Sequence, residues 1–299
     1  MIDTSTQPND IKVIGESPYE VTEVLDRNLR TAVYRAVSSF GEPVILKRLK
    51  DLETSLHAQR AFSVFQKTRD HLKTAGIPDI LYCDDEWKVS SFVEGLSGLE
   101  YADEHGGLTI PQICAFVQQA LRPVGAYMDA GVVHGDLKPA NLVVDINPDN
   151  MPDRVTPIDQ EILGRVGQAS LNPGKIYGTP RFMAPEQCLG QYHRTTDGFS
   201  LGVTALDLLA TPRHGFQLGD IGSFDDTFHS LDRRAHNNWL KPNARAFLER
   251  HLATVAPAHE QTSRMLLEFV FSCVRQNSWE RPQTAEEMRQ MLPDIRHIF

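Results

Sequence analysis

Within the run Val133-His134-Gly135-Asp136-Leu137-Lys138-Pro139-Ala140-Asn141-Leu142-Val143-Val144, an aspartate, a lysine and an asparagine stand at relative positions 0, +2 and +5. Apolar, strand-like residues lead into and out of this run, so it reads as a loop held between two short strands. The three side chains are those a hydroxyl, a phosphate and a metal ion need within a few ångströms of one another. An aspartate orients or accepts the proton of the attacking hydroxyl, and a lysine screens the transferring phosphoryl group. An asparagine carbonyl is a hard oxygen ligand for Mg²⁺.

A loop of this kind needs a core behind it. At 299 residues the chain can bury one, either as one large domain or as two lobes sharing a cleft. The first 17 residues are polar and read as a loosely ordered arm. Alternating apolar positions then predict the arms of a hairpin at Tyr19 to Leu25 and Ala32 to Val37, with a third strand over Val44 to Lys47. A helix is predicted from about 54 to 73, followed by strands over Asp79 to Cys83 and Trp87 to Val93. Beyond Gly95 helical patterning dominates, over about 109–130, 198–210, 243–251, 260–277 and 284–291.

Composition removes several function classes. A net charge of −9 supplies no surplus of Lys and Arg with which to displace counterions, so a nucleic-acid backbone is not expected as partner. The four cysteines, Cys83, Cys114, Cys188 and Cys273, lie far apart with no metal-ligand spacing, which points to free thiols in a reducing, cytoplasmic setting. No stretch of 18 uninterrupted apolar residues predicts a membrane span, and the N-terminus does not read as a secretory signal. Delivery into another cell is compatible with the polar arm.

The central loop resembles the catalytic loop of protein kinases, H-R-D-L-x-x-x-N, with Gly135 in place of the arginine. Pro157-Ile158-Asp159-Gln160-Glu161 resembles the metal-binding D-F-G segment. Tyr177 to Glu186 resembles the G-T-P-x-Y-M-A-P-E block, Asp197 to Val203 the D-x-x-S-L-G start of a central helix, and Trp279-Glu280-Arg281-Pro282 the late R-P motif. The blocks keep family order over nearly the whole chain from about Tyr19. The resemblance implies an α+β bilobal protein-kinase-like fold, with a small β-rich N-lobe at about 18–95 and a larger α-helical C-lobe at about 96–299. It implies that Asp136 orients the acceptor hydroxyl, that Lys138 contacts the γ-phosphate, and that Asn141 and Asp159 hold the metal. Lys47, ending the strand Val44-Ile45-Leu46 as in the V-A-I-K motif, would reach the α and β phosphates. His134, Thr179, Glu186, Asp197 and Arg281 take structural places, with Arg281 pairing Glu186. Lys138 together with Thr179 implies a Ser or Thr acceptor on a protein, with ATP and Mg²⁺, or Mn²⁺ in its place, as cofactors.

The departures are equally specific. The family's phosphate-covering glycines would fall at Asp26, Asn28 and Thr31, and none is a glycine; Arg27 and Arg30 between them are candidates to supply phosphate-binding charge instead. No helix glutamate stands opposite Lys47, since Phe65 or Gln66 falls at that position; Glu161, where the family has glycine, is a candidate substitute. Asp159 follows Asn141 by 18 residues, about five more than is usual, and the turn-rich stretch Asn147 to Asp153 predicts a hairpin tip that absorbs the excess. Gly135 removes the arginine that would receive an activation-loop phosphate, so phosphorylation of Ser170 or Tyr177 is not expected to act as a switch. Three readings follow: a divergent Ser/Thr protein kinase; a pseudokinase acting as binding scaffold or allosteric partner; and an enzyme that transfers AMP, or phosphate to a small molecule. The oligomeric state is left open.

Overall fold

The computed structural model describes residues 6–168, 177–222 and 240–294, in two compact units: Met1–Glu94 with Gln160–Leu163, and Gly95–Asp159 with Gly164–Phe299. In the first unit the strands β1 (Ile11–Ile14), β2 (Ser17–Arg27), β3 (Thr31–Ser38) and β4 (Pro43–Leu49) precede a helix, α1 (Leu52–Thr74), and two further strands, β5 (Ile80–Cys83) and β6 (Trp87–Ser91). All pairs are antiparallel, in the order β1-β2-β3-β4-β6-β5. The period-2 patterning explains the sheet: Val21, Ala32, Tyr34, Ala36, Val44, Leu46 and Val89 are all buried on it, while the residues between them are half-buried or exposed. Helix α1 starts where Asp51 caps it, accepting from the Thr54 N–H at 2.9 Å and from Thr54 Oγ1 at 2.7 Å.

One element departs from the sequence reading. The arm expected to be loose through residue 17 contains β1, paired with β2 from Ile11↔Glu20 to Ile14↔Ser17. The chain turns through Gly15 at φ +59°, a conformation glycine adopts without steric penalty, and Ile14 is buried.

The second unit begins with β7 (Leu96–Ser97) and the helices α2 (Gly98–Glu104) and α3 (Ile110–Asp129). Strands β8 (Val132–Val133), β9 (Leu142–Ile146), β10 (Pro152–Pro157) and β11 (Gly164–Arg165) follow. Helices α4 (Pro185–Cys188), α5 (Thr196–Leu209), α6 (Leu218–Ile221), α7 (Ala244–Val255), α8 (Glu260–Cys273) and α9 (Ala285–Gln290) come next among the described residues. Reciprocal capping boxes, Ser97 with Glu100 and Thr109 with Gln112, start α2 and α3. Helices α3, α5 and α8 bury Phe116, Leu121, Phe199, Leu206, Phe269 and Val270 in one core. Gly202 permits the close approach of α5 and α8, because a Cβ there would sit 2.9 Å from both Cys273 Cβ and Val274 Cγ1.

The β9–β10 hairpin carries the residues between Asn141 and Asp159, as the turn-rich composition predicts. Its tip is closed by Asn147, whose Oδ1 accepts from the N–H groups of Asp149 and Met151, each at 3.0 Å, and by Asn150 at φ +59°. The tip is docked rather than loose: Tyr101 Oη and Gln112 Nε2 both donate to the Asn150 carbonyl, at 2.7 and 3.2 Å.

Candidate active site

The strand β8 delivers His134 into a fully buried position, and β9 leaves from Asn141 through a single 3-10 turn, Pro139–Asn141. Between them the loop is fixed by side chains from elsewhere in the second unit. Asp197, buried at the start of α5, accepts the backbone N–H groups of His134 at 2.8 Å and Gly135 at 3.0 Å. Burial pushes the Asp197 carboxyl above its usual range, opposed by neighbouring His134 and by these two amides. The His134 ring is committed at both nitrogens: Nδ1 accepts from the Asp136 N–H at 3.3 Å, and Nε2–H donates to the Ile158 carbonyl at 2.9 Å. Both ring nitrogens are thus engaged with the loop and with the segment before Asp159.

Asp136 receives four hydrogen bonds on its carboxylate. Lys138 Nζ and Asn141 Nδ2 reach Oδ2 at 2.9 Å each, and Thr179 N–H and Oγ1–H reach Oδ1 at 2.8 Å each. Lys138 Nζ also donates to Thr179 Oγ1 at 2.7 Å, so Asp136, Lys138 and Thr179 close a ring of contacts. Asn141 spends its amide N–H groups on Asp136 Oδ2 and on the Asp136 carbonyl, which leaves Oδ1 as its acceptor end. The Asn141 carbonyl binds the Ile158 N–H at 2.9 Å, which ties the residue before Asp159 to the loop. Asp159 sits at φ +61°, a region sparsely populated by residues with a Cβ and concentrated at functional sites.

For a divalent ion the donor chemistry fits. A carboxylate and an amide carbonyl are hard oxygen ligands, and Mg²⁺ characteristically takes one or two protein oxygens and completes its shell with phosphate and water. Asp159 and Asn141 match that demand. The cysteines do not offer an alternative chemistry: all four are free, and burial pushes the thiols of Cys83 up to about 11 and of Cys114 and Cys188 up to about 12.

Thr179 is positioned by a second layer. Gln187 Nε2 donates to the carbonyls of Gly135 and Tyr177, and Gly178, at φ +120°, lies so close to Gly135 that a Cβ would meet its oxygen at 3.0 Å. Glu186 binds Arg281 bidentately at 2.7 and 2.8 Å and accepts from Thr196 Oγ1 at 2.9 Å. The Arg281 side chain is 1% exposed and lies 4.9 Å from the centroid of Phe199. Nothing in the loop motif alone points to Gln187. Of the residues considered for modification, Tyr177 lies at the edge of the described residues and Ser170 lies outside them.

In the first unit Lys47 is ion-paired with Glu161, Nζ to Oε1 at 2.8 Å, the two side chains being 12% and 16% exposed. Phe65, at the position where the helix glutamate would stand, is fully buried. Helix α1 is instead fastened through Arg69, which binds Asp79 bidentately at 2.9 and 3.0 Å, and Lys73 at 3.2 Å. The Arg69 bonds, against the opposing effect of burial, hold the Asp79 carboxyl below its usual range. Between β2 and β3 the chain turns within three residues. Asn28 Oδ1 accepts the N–H groups of Arg30 and Thr31 at 2.9 and 2.8 Å, and Asn28 Nδ2 donates to Asp26 at 2.9 Å. Arg27 donates to the Thr6 carbonyl and lies 5.7 Å from the Tyr34 ring centroid, whereas the Arg30 side chain is exposed.

Residues 27–292 match the protein kinase domain. The chain belongs to the protein kinase family. Its α+β bilobal kinase fold is the one the motifs imply, and the family as a whole uses ATP and a divalent metal. The probable serine/threonine-protein kinase PkwA of Thermomonospora curvata is 25% identical over 296 residues, covering 96% of this chain and 35% of that protein. Serine/threonine-protein kinase pkn3 of Myxococcus xanthus is 25% identical over 306 residues, covering 96% of this chain and 52% of its own. AfsK of Streptomyces coelicolor, also a serine/threonine-protein kinase, is 30% identical over 237 residues, covering 72% and 27%. This kinase sequence thus spans about half or less of the length of each of these relatives. No helix among its described residues is long and apolar enough to cross a membrane.

Proposed function

We propose that the chain is an ATP- and Mg²⁺-dependent Ser/Thr protein kinase. The observation that carries this reading is the closed contact ring of Asp136, Lys138 and Thr179. A carboxylate held by four donors is aimed rather than mobile, and the ammonium beside it is placed to follow charge from the γ-phosphoryl group. A substrate Ser or Thr hydroxyl oxygen attacks the γ-phosphorus while the bond to the bridging oxygen of ADP breaks. Asp136 orients the hydroxyl and accepts its proton, and Lys138 screens the transferring oxygens. Bound Mg²⁺ would offset the phosphate charge, with Asn141 and Asp159 as its protein ligands. Lys47 would hold the α and β phosphates. The named Ser/Thr kinases among the relatives support a protein acceptor, and the four free thiols support a reducing, cytoplasmic setting. Activity is not expected to depend on activation-loop phosphorylation, because Gly135 offers no guanidinium to receive the phosphate.

One observation favours a second reading, a pseudokinase that keeps the fold as a scaffold. The β2–β3 turn is closed by the Asn28 side chain and holds none of the family's glycines. Incubation with ATP, Mg²⁺ and a Ser/Thr protein mixture, followed by mass spectrometry with Asp136→Asn as control, separates the readings. Phosphate gained on Ser or Thr supports the kinase; AMP gained supports the nucleotide-transfer alternative; no gain in either sample supports the scaffold.

A further inference from the structure

The nucleotide-binding lysine of a kinase works only if a carboxylate holds its ammonium in place, and the kinase family takes that carboxylate from the helix beside the sheet. The buried face of helix α1 carries no carboxylate here. Its buried face is Ser55, Ala58, Ala61, Val64, Phe65 and Leu72, and its only acidic residues are Glu53 in the first turn and exposed Asp70. Glu161, two residues past Asp159 in the chain, is a carboxylate that meets Lys47.

A second cation accompanies them. Lys88 on β6 is the register partner of Lys47 on β4, so their Cα atoms lie about 4.5–5.5 Å apart and their side chains leave the same face of the sheet. Lys88 is 4% exposed, a degree of burial lysine tolerates only with compensating charge or hydrogen bonds. Cys83 reports the same cluster: burial raises its thiol most, and the charges of Lys88 and Glu161 act on it in opposite directions. A carboxylate 2.8 Å from a phosphate-binding lysine cancels much of that lysine's charge. The neighbouring lysine brings a second positive charge to the group.

Building on the kinase reading above, we propose that Glu161 is the positioning residue for Lys47, taking the place of the absent helix glutamate, and that Lys88 completes a lysine–glutamate–lysine cluster that receives the nucleotide's phosphates. Glu161 acts through Lys47 and touches no reacting atom. The device also moves control of the lysine from α1 to the segment that carries the metal-binding aspartate.

The test is a double-mutant cycle read by fluorescence of mant-ATP with Mg²⁺, alongside phosphoryl transfer by the intact chain. Glu161→Gln weakens mant-ATP binding about tenfold or more, whereas in a Lys47→Met background the same change moves it by less than about twofold. Lys88→Met weakens binding in the same direction. Glu161→Asp, which keeps the charge one methylene back, falls between wild type and Glu161→Gln; should Glu161→Gln not fold, Glu161→Asp carries the cycle. Tighter or unchanged binding in Glu161→Gln, additivity with Lys47→Met, or full restoration by raised Mg²⁺ overturns the inference, the last because it would make Glu161 a metal ligand. Transfer by wild type with no effect at Glu161 sinks this inference and leaves the kinase reading. Nucleotide binding that depends on Glu161 without any transfer does the reverse, and no binding by wild type sinks both.

Discussion

Thr179 gives the sharpest test of the acceptor side. Replacing it by valine keeps shape and β-branching and removes one hydroxyl, which donates to Asp136 Oδ1 at 2.8 Å and accepts from Lys138 Nζ at 2.7 Å. Asp136 keeps three of its four donors, including the residue 179 backbone N–H, so the loop should remain folded. Lys138 loses one of two acceptors and becomes free to rotate about the other. Both lost bonds involve a charged partner, at about 1.5–3 kcal/mol each, and they share one hydroxyl, so their sum is less than additive. A loss of about 2–4 kcal/mol in transition-state stabilisation is expected, roughly 30- to 900-fold in kcat/KM. The assay is transfer from γ-labelled ATP to a Ser/Thr peptide library, with thermal unfolding as the control for folding. Thr179→Ser restores both bonds and should stay within about tenfold of wild type, the remainder being lost packing of one methyl. Valine activity within threefold of wild type, at equal stability, would refute the view that this ring of contacts aims the aspartate.

Arg281→Met strands Glu186 in a half-buried site and should lower unfolding free energy by about 3–5 kcal/mol in a denaturant titration, with Glu186→Gln added in the double variant recovering part of it. His214 is buried, its Nε2–H binding the Leu108 carbonyl at 2.8 Å, and burial holds it below the ordinary histidine value, with nearby Arg213 and His251 adding in the same direction. The neutral ring is thus favoured in the fold, so its contribution is present above pH 6.5 and is lost as pH falls below 6.5 towards the folded value; His214→Gln should flatten that part of a stability profile, whose slope for one proton is at most about 1.4 kcal/mol per pH unit. Of the two candidate arginines, Arg30→Ala should weaken mant-ATP binding by about 1 kcal/mol, roughly fivefold, because its side chain is exposed in the turn, while Arg27, already engaged with Thr6 and Tyr34, should tolerate alanine with nearly unchanged binding; equal losses would contradict this distinction.

Much of this site is legible from residue order because its chemistry depends on side-chain identity. Asp136, Lys138 and Asn141 can be read from spacing and Thr179 from the motif resemblance, and the structure gathers all four into one set of contacts. The hairpin that separates Asn141 from Asp159 is legible too, since Asn147 and Asn150 announce a turn by their type. Strand β1 is harder to read because four residues give too short an alternation to stand out from polar flanks, although Gly15 between Ile14 and Tyr19 carries the turn signal. Lys88 escapes because burial of a lysine depends on its neighbours across the sheet, and only the β4–β6 register places it beside Lys47.

The missing glycines bear on activity less directly than their count suggests. Glycine serves a phosphate-covering turn in two ways: it permits left-handed backbone, and it removes the Cβ between the main chain and the phosphates. The first service is not needed here. Among the described residues the non-glycine positions with positive φ are Asn9, Asn150 and Asp159, so Asp26, Asn28 and Thr31 all sit at ordinary φ, and Asn28 closes the turn with its own side chain. What remains is the steric and electrostatic effect of three side chains, chiefly the charge of Asp26, already bound by Asn28 Nδ2. That effect acts on nucleotide affinity and leaves the ring of Asp136, Lys138 and Thr179 untouched. The divergence therefore predicts a kinase with weakened ATP binding and an intact acceptor side, a pattern in which KM for ATP is raised while kcat at saturation is kept; a chain that binds ATP tightly and turns over nothing would show the opposite.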